Sequence, residues 1–248
     1  MAEGTGLQGR VALVTGGGSG LGRAITVAFA DAGAHVLVGD IDLEGAKTTV
    51  ETVEERGGSA EACSLDVTDP AAVEEVVGRA SEQYADRFDL LVNNAGTDRG
   101  DDLVDIDDQR WHQVFGVNVH GPMYLSRAFV RHLQRHDTDR TGDVVCIVSI
   151  SALTVGAGAG AYNSSKAAMH KLAEVMQTEA RERGWPVRVS IIDPAAMNTP
   201  MMEQWSLPQE RMMDPAIVGG LALTAVTLPS EVVLQSLVVT LRNETYPR

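Results

Sequence analysis

Short apolar runs punctuate the chain, each followed by a longer stretch in which apolar and polar positions alternate with helical spacing. The runs fall at residues 11–14, 35–38, 60–65, 90–92, 144–148, 187–192 and 232–239. Most read as near-continuous Val, Ile and Leu rather than as every second residue, the pattern of parallel strands covered on both faces. Strand and helix in alternation predict an α/β fold: a doubly wound, seven-stranded parallel sheet with helices on both faces. With no internal repeat and no low-complexity linker, a single domain over residues 1–248 is expected. The stretch at about 195–213, rich in Ala and Met, predicts a mobile lid over whatever the sheet binds.

Composition narrows the function classes. A formal charge of −14 excludes a phosphate groove for nucleic acid, which needs a dense Lys/Arg patch. No apolar run is long enough to span a bilayer and the first ten residues lack a basic, apolar leader, so a cytoplasmic protein with no membrane partner is expected. Cys63 and Cys146 sit in apolar stretches without CxxC spacing and read as small buried hydrophobes. His132 and His136 share a helix face at i, i+4, but Arg131, Arg135 and Arg140 nearby repel a cation; a solvated face is expected there, and no metal anywhere.

The chemistry begins after the first run. Thr15-Gly16-Gly17-Gly18-Ser19-Gly20-Leu21-Gly22 is followed by a helical pattern over 23–32. Strand, glycine turn and helix in that order let the backbone approach a pyrophosphate, while the helix N-terminus offers unpaired N–H groups. The second strand ends at Asp40, about 20 residues on, where a carboxylate accepts the hydroxyls of an adenosine ribose. A 2′-phosphate would meet that carboxylate, and the neighbours Ser19 and Ile41 supply no cation, so NAD is expected over NADP. The competing reading makes Asp40 only the cap of the next helix.

These residues resemble the short-chain dehydrogenase/reductase family over nearly the whole chain: the TGxxxGxG loop Thr15–Gly22, the pair Asp66-Val67, the NNAG segment Asn93–Gly96, then Asn118, Ser149 and the YxxxK pair Tyr162 and Lys166. The resemblance implies a Rossmann-type domain that interconverts a secondary alcohol and a ketone with NAD. Hydride transfer to a ketone requires a proton at oxygen, and a tyrosine hydroxyl can supply it. Free tyrosine has a pKa near 10, so a cation one turn away, Lys166, is expected to lower it. The chain holds three lysines, Lys47, Lys166 and Lys171, so keeping one there has meaning.

The family's roles, carried over position by position, make Asn118, Ser149, Tyr162 and Lys166 catalytic, with Lys166 also on the nicotinamide ribose, Ser149 on the substrate oxygen and Asn118 holding a relay water. Ser151 lies close enough to compete with Ser149. Cofactor contacts fall to Gly16, Gly18, Ser19, Gly20, Leu21, Gly22, Asp40, Ile41, Asp66, Val67, Asn94, Ala95, Gly96, Tyr162, Lys166, Pro194, Met197 and Thr199. The family's Pro-Gly becomes Pro194-Ala195 here, which predicts a backbone without positive φ. Asp193 is a second departure, read as a loop cap or as a charge that repels acidic substrates. The helices carrying Asn118 and Tyr162 imply a homo-oligomer, a dimer or a homotetramer.

Segments 97–104, 151–161 and 197–213 are expected to wall the substrate pocket. Met197, Met201, Met202, Trp205, Met212 and Met213 make the last one apolar and adaptable, favouring a lipophilic alcohol or ketone, unless they pack on the core instead. A 3-oxoacyl thioester reductase or 3-hydroxyacyl dehydrogenase is the nearest alternative. An NAD-binding redox sensor without catalysis is the alternative of another class.

Overall fold

The computed structural model describes residues 6–98, 100–136, 141–205 and 207–242. Its strands are β1 (Val11–Thr15), β2 (His35–Asp40), β3 (Ser59–Ser64), β4 (Phe88–Asn93), β5 (Gly142–Ile147), β6 (Val187–Pro194) and β7 (Ser236–Val239). All pairs are parallel, in the order β3-β2-β1-β4-β5-β6-β7. The order reverses between β1 and β4, and a crevice opens beyond the carboxyl ends of the strands at such a reversal.

Successive residues of each central strand face opposite ways and so feed two cores. Val11, Leu13, Leu91, Val144 and Cys146 pack under α3 (Pro70–Tyr84), α5 (Gly121–Arg135) and α6 (Gly160–Arg183). Ala12, Val14, Leu90, Val92 and Val145 pack under α1 (Gly20–Asp31), α2 (Leu43–Glu55) and α7 (Pro215–Thr227). The remaining helix, α4 (Asp108–Phe115), runs into a π-helical turn, Gly116–His120, that leads to α5. Fully buried Phe29 and Phe129 anchor the two cores, each burial contributing about 1.5–3 kcal/mol.

The expectation of continuous apolar strands holds for the centre of the sheet and fails at its rims. β3 (SAEACS) and β7 (SLVV) are edge strands without a fully buried residue. The seventh strand is also shorter than the 232–239 read from the sequence. Arg188 Nη1 takes the carbonyl of Val232 at 2.8 Å, together with those of Leu228 and Pro229, which holds that segment in a turn. Conversely, β4 and β5 extend past their apolar runs through Asp89 and Asp143. These two carboxylates and two arginines form a buried chain across the sheet's amino end. Arg188 Nε reaches Asp143 at 2.7 Å, Arg10 Nη2 reaches Asp143 at 2.8 Å, and Arg10 Nε reaches Asp89 at 2.9 Å. Burial works against the charge on Arg10, yet Asp89 and Asp143 outweigh it and raise its pKa.

His132 is not on a solvated face. It is 2% exposed, with Nε2 2.9 Å from the Phe88 carbonyl and Nδ1 2.7 Å from the Ser81 hydroxyl. Arg140, cited beside it, lies outside the described residues. Cys146 is buried as expected, whereas Cys63, in edge strand β3, is only half-buried; burial pushes their thiols up to about 12 and about 11. No described helix is long and apolar enough to cross a membrane.

Candidate active site

The glycine turn follows β1 directly. Gly16 has φ +64° because the backbone must fold back on itself, and a Cβ there would lie 2.9 Å from the Ala95 Cα. A Cβ on Gly22 would meet the Gly16 carbonyl oxygen at 2.0 Å, so only glycine lets α1 start this close to the turn. Aspartates at 42, 69 and 214 cap α2, α3 and α7, whereas the cap of α1, Ser19, makes no side-chain capping bond and the first turn holds no acidic residue. That start, left without a side-chain acceptor, suits an anion. Asn94 braces the turn: its Nδ2 donates to Thr15 O at 2.8 Å and Gly16 O at 3.2 Å, while Thr15 Oγ1 accepts from the backbone of Asn94 and Ala95.

Asp40 ends β2 beside this turn. One oxygen accepts the Gly18 N–H at 2.8 Å and the other the Asp42 N–H at 2.9 Å. The cap of α2 is Asp42, not Asp40. Arg23, a cation missed in the reading of this end, turns beneath the loop and donates to Gly18 O and to Thr49 Oγ1. Asp66 Oδ1 closes a local turn by accepting from Thr68 N and Oγ1.

The acid/base residues come from two elements. Ser149 follows β5, 8% exposed, at the start of a 3₁₀ turn, Ile150–Ala152. Tyr162 and Lys166 share one face of α6, with Lys166 Nζ 5.7 Å from the Tyr162 ring centroid. Ser149 and Tyr162 line the same crevice. Ser151 donates its backbone N–H to Ser149 Oγ at 3.1 Å. Lys166 is 3% exposed and donates to the Ile147 carbonyl at 3.2 Å.

The expected acidic phenol is not what these contacts produce. Burial pushes Tyr162 up to about 12; the Ser149 hydrogen bond opposes this and Asp98 adds to it. Burial likewise pulls Lys166 down to about 8, against the support of Asp193, Cys146 and Asp98. Withdrawal from water dominates both groups because each disfavours its own charged form there.

Asn118 also departs from expectation. Its Oδ1 accepts the Thr97 N–H at 2.9 Å, and its Nδ2 donates to the Thr97 carbonyl at 2.9 Å and to Ser165 Oγ at 3.0 Å. Ser165 in turn donates to the Tyr162 carbonyl at 2.8 Å. The amide therefore ties the π turn and the 97 backbone to the catalytic helix, and it does not line the crevice.

The crevice itself measures about 680 Å³. Every predicted site residue except Gly18 and Asn118 lines it. Gly18 packs against Asp40 and Ala46. Of segment 97–104 only Asp98 lines it among the described residues; Leu103 and Val104 are 77% and 90% exposed, and Arg99 lies outside them. Met197, Met201, Met202 and Trp205 do wall it. Met213 is instead a core residue at 3% exposure, Met212 lies off the crevice, and Ser206 is not described. The sequence reading missed the contact of Trp205 Nε1 with Asp98 at 3.1 Å, which seats the lid on the opposite wall. Ala195, in the glycine's place, avoids positive φ as expected.

Residues 10–210 match the short chain dehydrogenase family. The chain is similar to 1-deoxy-11-beta-hydroxypentalenate dehydrogenase of Streptomyces exfoliatus, 37% identical over 205 residues covering 82% of this chain and 73% of that one. It is also similar to a 3-oxoacyl-[acyl-carrier-protein] reductase of Thermotoga maritima, 33% identical over 204 residues, 82% of this chain and 80% of that one. Among solved structures, a "putative NAD(P) dependent gluconate 5-dehydrogenase" from Beutenbergia cavernae with NADP bound at low occupancy superposes with a TM-score of 0.83 at 31% identity, covering 94% of this chain and 96% of that one.

Proposed function

The chain belongs to the short-chain dehydrogenase family and is an oxidoreductase acting on CH–OH groups, and from that premise we propose that it interconverts a lipophilic secondary alcohol and its ketone with NAD, using Tyr162 as the acid/base. The observation that carries the reading is the convergence of Ser149, Tyr162 and Lys166 on one crevice above the glycine turn. The turn and the start of α1 would hold the pyrophosphate, Asp40 and Ile41 the adenosine ribose, Asp66 and Val67 the adenine, and Pro194, Met197 and Thr199 the nicotinamide end. When bound, the dinucleotide supplies or takes the hydride. Tyr162 gives the proton to, or takes it from, the substrate oxygen. Ser149, on the same crevice wall, would donate to the same oxygen as charge develops there. Lys166 would hold the ribose hydroxyls, and Asn118 fixes the backbone of the far wall.

The NAD preference rests on charge. Among the described residues lining the crevice Lys166 is the one cation, and Asp40 is the charge at the ribose end. D40A is expected to raise the KM for NAD about tenfold or more, as loss of a charged hydrogen bond worth about 1.5–3 kcal/mol implies, with the KM for the alcohol unchanged. Equal turnover of NAD and NADP by the parent enzyme would contradict the assignment.

Met197, Met201, Met202 and Trp205 make the substrate end apolar and adaptable. NADH absorbance over a panel of secondary alcohols, with a 3-hydroxyacyl thioester included, tests the substrate class. Turnover of lipophilic alcohols supports the reading; preferential turnover of the thioester moves it to the acyl alternative. Silence across the panel favours the redox sensor. The outward face of α6, with Ala167, Lys171 and half-exposed Val175, offers a surface for a two-fold homodimer or tetramer in the cytoplasm.

A further inference from the structure

Behind the crevice stands a pair of residues that the reaction, as described, does not use. Asp193 lies near the end of β6 with its side chain fully buried, 0% exposed. A carboxylate withdrawn from water needs partners that replace its hydration. His170 Nδ1 donates to Oδ1 at 3.1 Å and the Ser236 hydroxyl of β7 donates to Oδ2 at 3.4 Å, while Val148 N–H, one residue before Ser149, donates to Ile192 O, one residue before Asp193, at 2.8 Å. His170 is four residues past Lys166 on α6, so ring and ammonium share a helix face. Its other nitrogen lies 3.6 Å from Glu174.

Asp193 thus joins three parts of the site: the end of β5 where Ser149 sits, the catalytic helix, and the charge of Lys166. The groups facing Lys166 are Asp193 from β6, Cys146 from β5, Asp98 from the loop after β4 and Tyr162 from its own helix. Asp193 reaches this helix face through His170, one turn past Lys166.

We propose that Asp193, oriented by His170, is a positioning residue for the acid/base pair, fixing the end of β6 beside Ser149 and setting a buried carboxylate one helical turn from the Lys166 ammonium. The loop-cap and substrate-repelling readings both give way, since the carboxylate faces neither a loop end nor the crevice. The proposal rests on the roles proposed above for Ser149, Tyr162 and Lys166, but its test does not.

Because the chain contains three lysines, labelling with [13Cε]lysine yields three side-chain signals whose pH titration needs neither cofactor nor turnover. Exposed Lys47 and Lys171 serve as internal references. In D193N the Lys166 midpoint is expected to fall by about one pH unit or more, the effect of removing an opposite charge from a buried ammonium. Lys47 and Lys171 stay where they are. H170A, which releases the carboxylate, moves the midpoint the same way and lowers kcat; H170N, whose amide can stand where Nδ1 does, restores both. An unmoved Lys166 midpoint in folded D193N overturns the proposal. Should D193N fail to fold, an unmoved midpoint in H170A overturns it instead. Shifted lysine signals together with a silent alcohol panel would sink the function and leave the pairing standing.

Discussion

Replacing Tyr162 by phenylalanine is expected to lower kcat about 10²–10⁴-fold, the range over which a positioned acid/base contributes. Binding of NADH, followed by quenching of protein fluorescence, should change little, because the ring, its packing and Lys166 all remain. The direction of the phenol's shift adds a second test. With burial holding the hydroxyl up at about 12, the acid form is full at neutral pH and ketone reduction has its proton donor ready. Alcohol oxidation needs the base form, which grows tenfold per pH unit below the pKa. The kcat/KM for oxidation should therefore rise with pH from 6 to 8 while that for reduction holds steady. Retained turnover in Y162F, or an oxidation rate that falls over this interval, removes Tyr162 from the mechanism.

The largest loss of stability is expected far from the crevice. Asp143 is 3% exposed and accepts from Arg10 on one oxygen and Arg188 on the other. D143A leaves two largely buried guanidinium groups facing one another without the carboxylate between them. Breaking a buried pair in this way costs about 3–5 kcal/mol. That is a large share of the roughly 5–15 kcal/mol by which a domain is stable. Urea unfolding of D143A against the parent measures it. The carboxyl ends of the strands, where the cofactor would lie, are at the other end of the sheet, so the cofactor's Kd should be unaltered in the folded variant. A loss below about 1 kcal/mol would mean that water reaches these arginines and that the chain of charges is a surface feature.

The two predictions fall on opposite sides of what can be read from residues alone. The alternation of apolar runs with amphipathic stretches dictated the doubly wound sheet, since a parallel strand must be apolar on both faces and the helix after it on only one. The glycine turn, Asp40 and the Tyr162–Lys166 pair were equally legible. Their chemistry acts over short spacings along the chain: a turn, a strand end, one turn of helix. What lay hidden depends on partners distant in sequence. Arg10 finds Asp89 and Asp143, Asn118 finds Thr97 and Ser165, and Asp193 finds His170 and Ser236. None of these pairings has a spacing that local geometry imposes.

The same division explains the reversal in the phenol's pKa. Sequence placed the ammonium one turn from the phenol, and the structure keeps it there. Whether that closeness lowers the phenol's pKa depends on how much water remains around both groups, which is a property of the packed protein. Here Lys166 is buried against the end of β5 with the Tyr162 ring beside it, and desolvation outweighs the attraction expected from spacing. Which residues carry the chemistry is thus set along the chain by short-range geometry. How strongly each is charged, and what holds it in place, is set only when distant strands and helices close around it and exclude solvent.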